Sequence, residues 1–166
     1  MAGERRIVNV EEMEWREERH GERFAMKRKT LSLKAGGSRL GCSLYEVPPG
    51  AGAWPLHYHF ANEEAIYVLQ GQGTLRGKES KTPLRAGDYV VLPAGPEGTH
   101  QVVNDSAAPL TFLCLSTMQH PDVAVYPESG KLGVFAGSAP GQMPDAAFPR
   151  IYLPLDRKVA YWEGED

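Results

Sequence analysis

The residues whose types and spacing could do chemistry are His57, His59, Glu64 and His100. The first three share one run, His57-Tyr58-His59-Phe60-Ala61-Asn62-Glu63-Glu64, and His100 closes another, Pro93-Ala94-Gly95-Pro96-Glu97-Gly98-Thr99-His100. Three imidazoles and a carboxylate form a complete protein ligand set for a divalent transition metal. That donor set suits iron, manganese, cobalt, nickel, copper or zinc better than calcium, which prefers oxygen. Four protein ligands on an octahedral ion leave room for water, substrate or dioxygen, and such a vacancy separates a catalytic site from a closed structural one. Glu63 competes with Glu64 for the carboxylate role, because alternation along a strand turns only one of two neighbours inward.

These residues need a scaffold that converges on one point. Histidines at i and i+2 project from the same face of a strand, so one strand can present both. From about residue 29 to 117, short runs rich in β-branched and aromatic residues alternate with Gly, Pro or Asp, as in a sandwich or barrel. The pattern predicts strands over Thr30–Ala35, Arg39–Val47, Ala53–His59, Glu64–Gln70, Gly73–Lys78, Asp88–Leu92, His100–Val103 and Leu110–Thr117. No connection between them is long or periodic enough for a crossover helix, so the expected fold is an all-β antiparallel jelly roll.

Two flanking segments differ from this barrel. Residues 1–28 are charge-dense, and Asn9 followed by Glu12 has capping-box spacing, which predicts a short helix over about 10–19 ending near Gly21. This segment is expected to form a surface arm. Residues 118–166 are punctuated by Pro and Gly and form an irregular extension, with Leu132–Phe135 and Ile151–Leu155 as short added strands. Its aromatic residues imply packing on the barrel or on a second copy. The expected division is therefore arm 1–28, barrel 29–117 and extension 118–166.

Bulk properties narrow the functional classes. A chain of 166 residues suits one domain with a real core. A net charge of −3 without a basic stripe argues against a nucleic-acid partner, and no apolar run reaches membrane-spanning length. The first residues, Met1-Ala2-Gly3-Glu4-Arg5-Arg6, lead into acidic sequence, so the expectation is a cytoplasmic protein. Cys42 and Cys114 lack CxxC spacing and are expected to be buried, unbridged thiols.

Two longer motifs resemble the cupin superfamily. The first runs His57-X-His59, four residues, Glu64, six residues, Gly71; the second runs Gly87, five residues, Pro93-Ala94-Gly95, His100, three residues, Asn104. Two departures stand out. Ala51, flanked by Gly50 and Gly52, occupies the position of the first motif's leading glycine, and the gap from Gly95 to His100 is longer than the motif, which enlarges that loop. The resemblance implies a cupin double-stranded β-helix with His57, His59, Glu64 and His100 as metal ligands, and its spacing selects Glu64 over Glu63. Leu92-Pro93-Ala94-Gly95 and Tyr126–Lys131 are similar to single-domain cupins labelled sugar-phosphate isomerases.

The implied function is a metal-dependent enzyme acting on a small oxygenated, sugar-like or carboxylate substrate, by isomerase, lyase or dioxygenase chemistry. Glu64 would be the fourth ligand or a detachable general base. The alternative is a non-catalytic small-ligand-binding or sensor protein. A sugar phosphate needs cationic anchoring, and only Arg39 is expected to reach the cavity, since Arg76 and Lys78 alternate away from Leu75. Tyr45, Trp54, Tyr58 and Tyr67 are expected to be packing residues, and Asn104 to steady the His100 loop. A homodimer is expected, with the flanking segments as interface material.

Overall fold

In this computed structural model, which describes residues 7–142, 147–148 and 150–165, every strand ladder is antiparallel. Strands are numbered in chain order. The largest sheet has six, in the order β1 (Arg16–His20), β2 (Phe24–Lys29), β3 (Gly41–Val47), β10 (Leu110–Ser116), β5 (Glu64–Gln70), β8 (Tyr89–Leu92). A four-stranded sheet runs β13 (Ile151–Pro154), β12 (Lys131–Phe135), β11 (Asp122–Tyr126), β4 (Tyr58–His59). A third runs β7 (Lys81–Arg85), β6 (Gln72–Arg76), β9 (Gln101–Val103). This is the all-β architecture expected from the alternating pattern.

The period of two along each strand builds core and site from the same side-chain rows. Register pairs Phe112 with Tyr45 on one side and Val68 on the other. Ile66, Val68, Leu110 and Phe112 are fully buried, and the Tyr45 ring stacks on Phe112 at 5.4 Å. Two residues back from Ile66 on the same face is Glu64, paired across the ladder with Ser116. The row that is apolar at one end of the barrel therefore becomes polar at the other.

The charged N-terminal segment departs from its expected helix. Asn9 does cap a turn, accepting from the Glu11 N–H, but the helix is a single 3-10 turn over Val10–Glu12. The chain then enters β1, which turns at Gly21 (φ +56°) into β2. Val10, Met13 and Trp15 offered no helical stripe to bury, and pairing with β2 prevails over the local cap. β1 is a sheet edge made of Arg16, Glu17, Glu18, Arg19 and His20, a charged composition that discourages further pairing. Residues 1–6 of the expected arm lie outside the described residues. β2 hydrogen-bonds to β3 and so brings part of this segment into the barrel wall.

Three further differences have local causes. Thr30–Ala35 is not a strand: Leu31–Lys34 form a short helix, α1, followed by Gly36 at φ +80° in the left-handed conformation that closes helices. Ala53–His59 keeps a ladder only at Tyr58–His59, because Pro55 has no N–H to donate. Pro83 hid β7 from the alternation pattern; the strand lies at a sheet edge, where proline is tolerated. The extension is also more regular than expected. β11 joins β12, β13 and β4 in one sheet, and β4 is the strand that carries His59. Among the described residues no helix is long and apolar enough to cross a membrane.

Candidate metal centre

His57 and His100 are placed by their own backbones. Each donates its N–H to the other's carbonyl, at 3.1 and 2.8 Å, as a hydrogen-bonded antiparallel pair does. Their rings consequently lie side by side, with centroids 4.6 Å apart. His59, two residues on, projects to the same side, its ring 4.9 Å from His57. The Gly95 N–H donates to the His59 carbonyl at 2.7 Å and ties the enlarged loop, with its 3-10 turn at Pro96–Gly98, to β4.

Glu64 opens β5 with its carboxylate turned inward. Its Oε2 lies 3.7 Å from His59 Nε2 and 3.4 Å from His100 Nε2. Ligand atoms of His57, His59 and Glu64 all fall within 4.8 Å of one another. Glu63 is exposed, so the choice of Glu64 as the inward carboxylate agrees with the strand's alternation.

The other ring nitrogens fix which atoms face the centre. His57 Nδ1 lies 3.0 Å from the Pro55 carbonyl and His100 Nδ1 lies 2.8 Å from that of Gly98. A carbonyl oxygen only accepts, so each Nδ1 carries the proton and each Nε2 keeps a free electron pair. His59 Nδ1 donates to Asp122 Oδ2 at 2.6 Å. His100 Nε2 is buried without a hydrogen-bond partner, an orphaned acceptor of the kind a metal ion satisfies. His57, His59 and Glu64 form the mutually close group with the donor chemistry of a divalent transition metal, and His100 approaches it through Glu64.

Protonation follows from the surroundings. Burial, reinforced by His100 and His59, holds His57 well below the usual imidazole value. Burial also lowers His100, against the opposing pull of Glu64. Burial pulls His59 down too, but the Asp122 hydrogen bond and the charges of Glu64 and Asp122 outweigh it and leave His59 raised. Burial would raise Asp122, yet the hydrogen bonds from His59 and the Ala61 N–H hold its carboxyl low.

Asp122 escaped the sequence reading. It lies in the segment read as irregular, far from either motif, and the only cue was the alternation of Asp122-Val123-Ala124-Val125-Tyr126. Its side chain is fully enclosed, with Oδ1 accepting from the Ala61 N–H at 2.9 Å. The expectation for Asn104 is corrected. Its amide donates to the Val47 and Ala108 carbonyls and accepts from Ser106, organising a different turn; it is Gly98 that orients His100.

His57, His59 and Glu64 form part of the wall of a cavity of about 300 Å³. Tyr126 stacks on His57 at 5.6 Å, and Trp54 meets the His57 and His100 rings edge-on. Tyr45 and Trp54 thus line the cavity as well as packing the core. Arg39 is exposed and outside the cavity, because it sits in the loop before β3 rather than on a strand. Arg28 and Arg150 line it instead. Arg28 belongs to the charge-dense N-terminal segment, but its place on β2 opposite Tyr45 turns it inward. Cys42 and Cys114 are free and only partly buried, both bordering the same cavity.

Residues 43–116 match the family described as the cupin domain. A crystal structure from Silicibacter pomeroyi, described as a sugar phosphate isomerase from a cupin superfamily, is 25% identical with a TM-score of 0.76, covering 93% of this chain and 96% of that one. An uncharacterized protein of Methanocaldococcus jannaschii is 34% identical over 61 residues, 37% of this chain and 47% of its own length. Quercetin 2,3-dioxygenase of Bacillus subtilis is 28% identical over 104 residues, 60% of this chain and 31% of that enzyme. The chain spans less than half the length of these two curated relatives.

Proposed function

We propose that this chain, whose residues 43–116 match the cupin domain family, is a cupin type-2 protein and a metal-dependent enzyme for a small oxygenated substrate. His57, His59, His100 and Glu64 would hold one divalent transition metal. The observation that carries this reading is the convergence on Glu64 of imidazoles whose Nδ1 protons are already committed to Pro55, Gly98 and Asp122. Such rings are oriented for ligation before any ion arrives.

The metal, when bound, would act as a Lewis acid that polarises a carbonyl or hydroxyl. The chain supplies the rest. Asp122 and the two backbone carbonyls hold the rings, Trp54 and Tyr126 exclude water from one side, and Glu64 either ligates or, when released, accepts a proton. Isomerase and lyase chemistry both fit this arrangement. The match to quercetin 2,3-dioxygenase supports a second reading, in which dioxygen is the co-substrate.

Metal analysis of purified protein, combined with turnover assays, tests the proposal. One equivalent of metal in the wild type and loss of it in His57→Ala support it. A protein that holds no stoichiometric metal sinks it, and a tightly bound metabolite returned unchanged favours a binding protein. Oxygen consumption separates the dioxygenase reading from the others. Two-copy assembly and a small-molecule ligand belong to the same proposal.

A further inference from the structure

We propose that the cavity beside the metal site is an anion pocket: it takes a small ligand carrying an oxyanion, a carboxylate or a phosphate, held between Arg28 and Arg150. This deepens the preceding proposal and rests on it for where the ligand's reacting end lies.

Unpartnered polar atoms gather at this one place. Among the described residues, the buried side-chain nitrogens and oxygens without a hydrogen-bond partner are Arg28 Nε, Trp54 Nε1, His100 Nε2, Ser116 Oγ and Arg150 Nε. Four belong to residues that line the same cavity, and the fifth is the inward nitrogen of the candidate ligand His100. Folded proteins rarely leave such atoms unmatched without a role for them. The guanidinium and indole nitrogens only donate, so a complementary ligand must be rich in acceptors.

The two arginines approach from different sheets. Arg28 lies on β2 in the six-stranded sheet, its guanidinium against the Tyr45 hydroxyl and 3.6 Å from the partly exposed Glu18 carboxylate. Arg150 immediately precedes β13 in the four-stranded sheet. Its guanidinium lies over the Phe135 ring at 5.4 Å, and Phe135 in turn packs 6.5 Å from His59. Its Nη2 donates to the Ala139 and Gln142 carbonyls, and among the described residues it has no carboxylate within ion-pair distance.

Charge points the same way. The carboxylates of Glu64 and Asp122 offset a divalent ion and Glu18 pairs with Arg28, which leaves Arg150, among the described residues, as the guanidinium without a carboxylate. A neutral sugar would add no charge to balance Arg150 beside the cavity. A planar guanidinium presents paired N–H groups that match carboxylate or phosphate oxygens. A cavity of about 300 Å³ restricts the ligand to a small molecule.

Titration calorimetry with malonate, inorganic phosphate and the neutral isostere malonamide tests this on metal-loaded and metal-free protein. The expected result is at least tenfold tighter binding of malonate or phosphate than of malonamide, with the tighter anion identifying the oxyanion class. Arg28→Gln and Arg150→Gln should each weaken that anion at least tenfold while metal content stays constant. Equal affinity for malonamide, or variants that bind the anions as the wild type does, overturns the proposal. If a glutamine variant fails to fold, Arg→Lys at the same position replaces it, and the wild-type anion-to-amide ratio still decides. Absence of metal with an arginine-dependent anion preference intact would overturn the metal-enzyme reading and leave the anion pocket standing. Metal binding without anion preference would do the reverse.

Discussion

Asp122 Oδ2 accepts the Nδ1 proton of His59 at 2.6 Å, across 63 residues of sequence. The carboxylate belongs to the C-terminal extension and the imidazole to the first histidine motif, so the extension helps to make the site. The same carboxylate receives the Ala61 N–H on its other oxygen, which holds it rigidly beside the ring.

Replacing Asp122 by Asn follows from that pair of contacts. An amide has one oxygen where the carboxylate has two, so either His59 or Ala61 would face an NH2 group. Metal affinity is expected to fall roughly 10–100-fold, the usual cost of losing a partner that orients a ligand. Competition against a chromophoric chelator measures it, and unchanged affinity would remove Asp122 from the site.

Glu64 and Glu63 separate the inward carboxylate from its neighbour. Glu64→Gln should lower both metal occupancy and turnover, because the amide cannot carry the charge that faces His59 and His100. Glu63→Gln should leave both unchanged, since that side chain is exposed. Occupancy by elemental analysis reads the contrast, and parity between the variants would contradict the assignment.

Gly98 is required for steric reasons. A Cβ at this position would overlap the Pro93 carbonyl oxygen, and backbone of that kind cannot swing aside. The Gly98 carbonyl also orients His100. Gly98→Ala should displace the loop, weaken metal binding about tenfold or more and lower thermal stability. Full metal affinity with an unchanged melting temperature would count against it.

The two thiols give a pH prediction. Burial raises Cys42 and raises Cys114 well above the 9.0 of an open thiol. The unfolded chain therefore loses thiol protons at a pH where the folded chain keeps them, and stability falls as pH rises through about 9. Alkylation of both cysteines should be slow in the native protein at pH 8 and fast in urea. Rapid native labelling would show that the thiols are open to solvent.

Assembly provides the last test. Tyr67, Tyr89 and Val91 are exposed on β5 and β8, as are Leu155, Val159, Tyr161 and Trp162 near the C-terminus. Apolar surface of this extent favours association. Light scattering at micromolar concentration should give twice the mass of one chain, and a monomeric mass would refute the two-copy proposal.

What the sequence determined by itself was the candidate site cluster and the kind of scaffold. His57, His59, Glu64 and His100 were legible because spacing along strands has a fixed side-chain period, and their motifs are local. Alternation likewise revealed most barrel strands, failing where Pro55 and Pro83 interrupt hydrogen bonding and where a turn of helix replaces Thr30–Ala35. What the sequence did not determine was everything brought to the site from a distance. Asp122 arrives through the pairing of β11 with β4, Arg28 through the pairing of β2 with β3, and Arg150 through the fold of the extension. Those pairings are long-range, and no residue spacing encodes which strand lies beside which. Only the closed barrel decides it, because burying the apolar rows fixes the register and the polar residues follow.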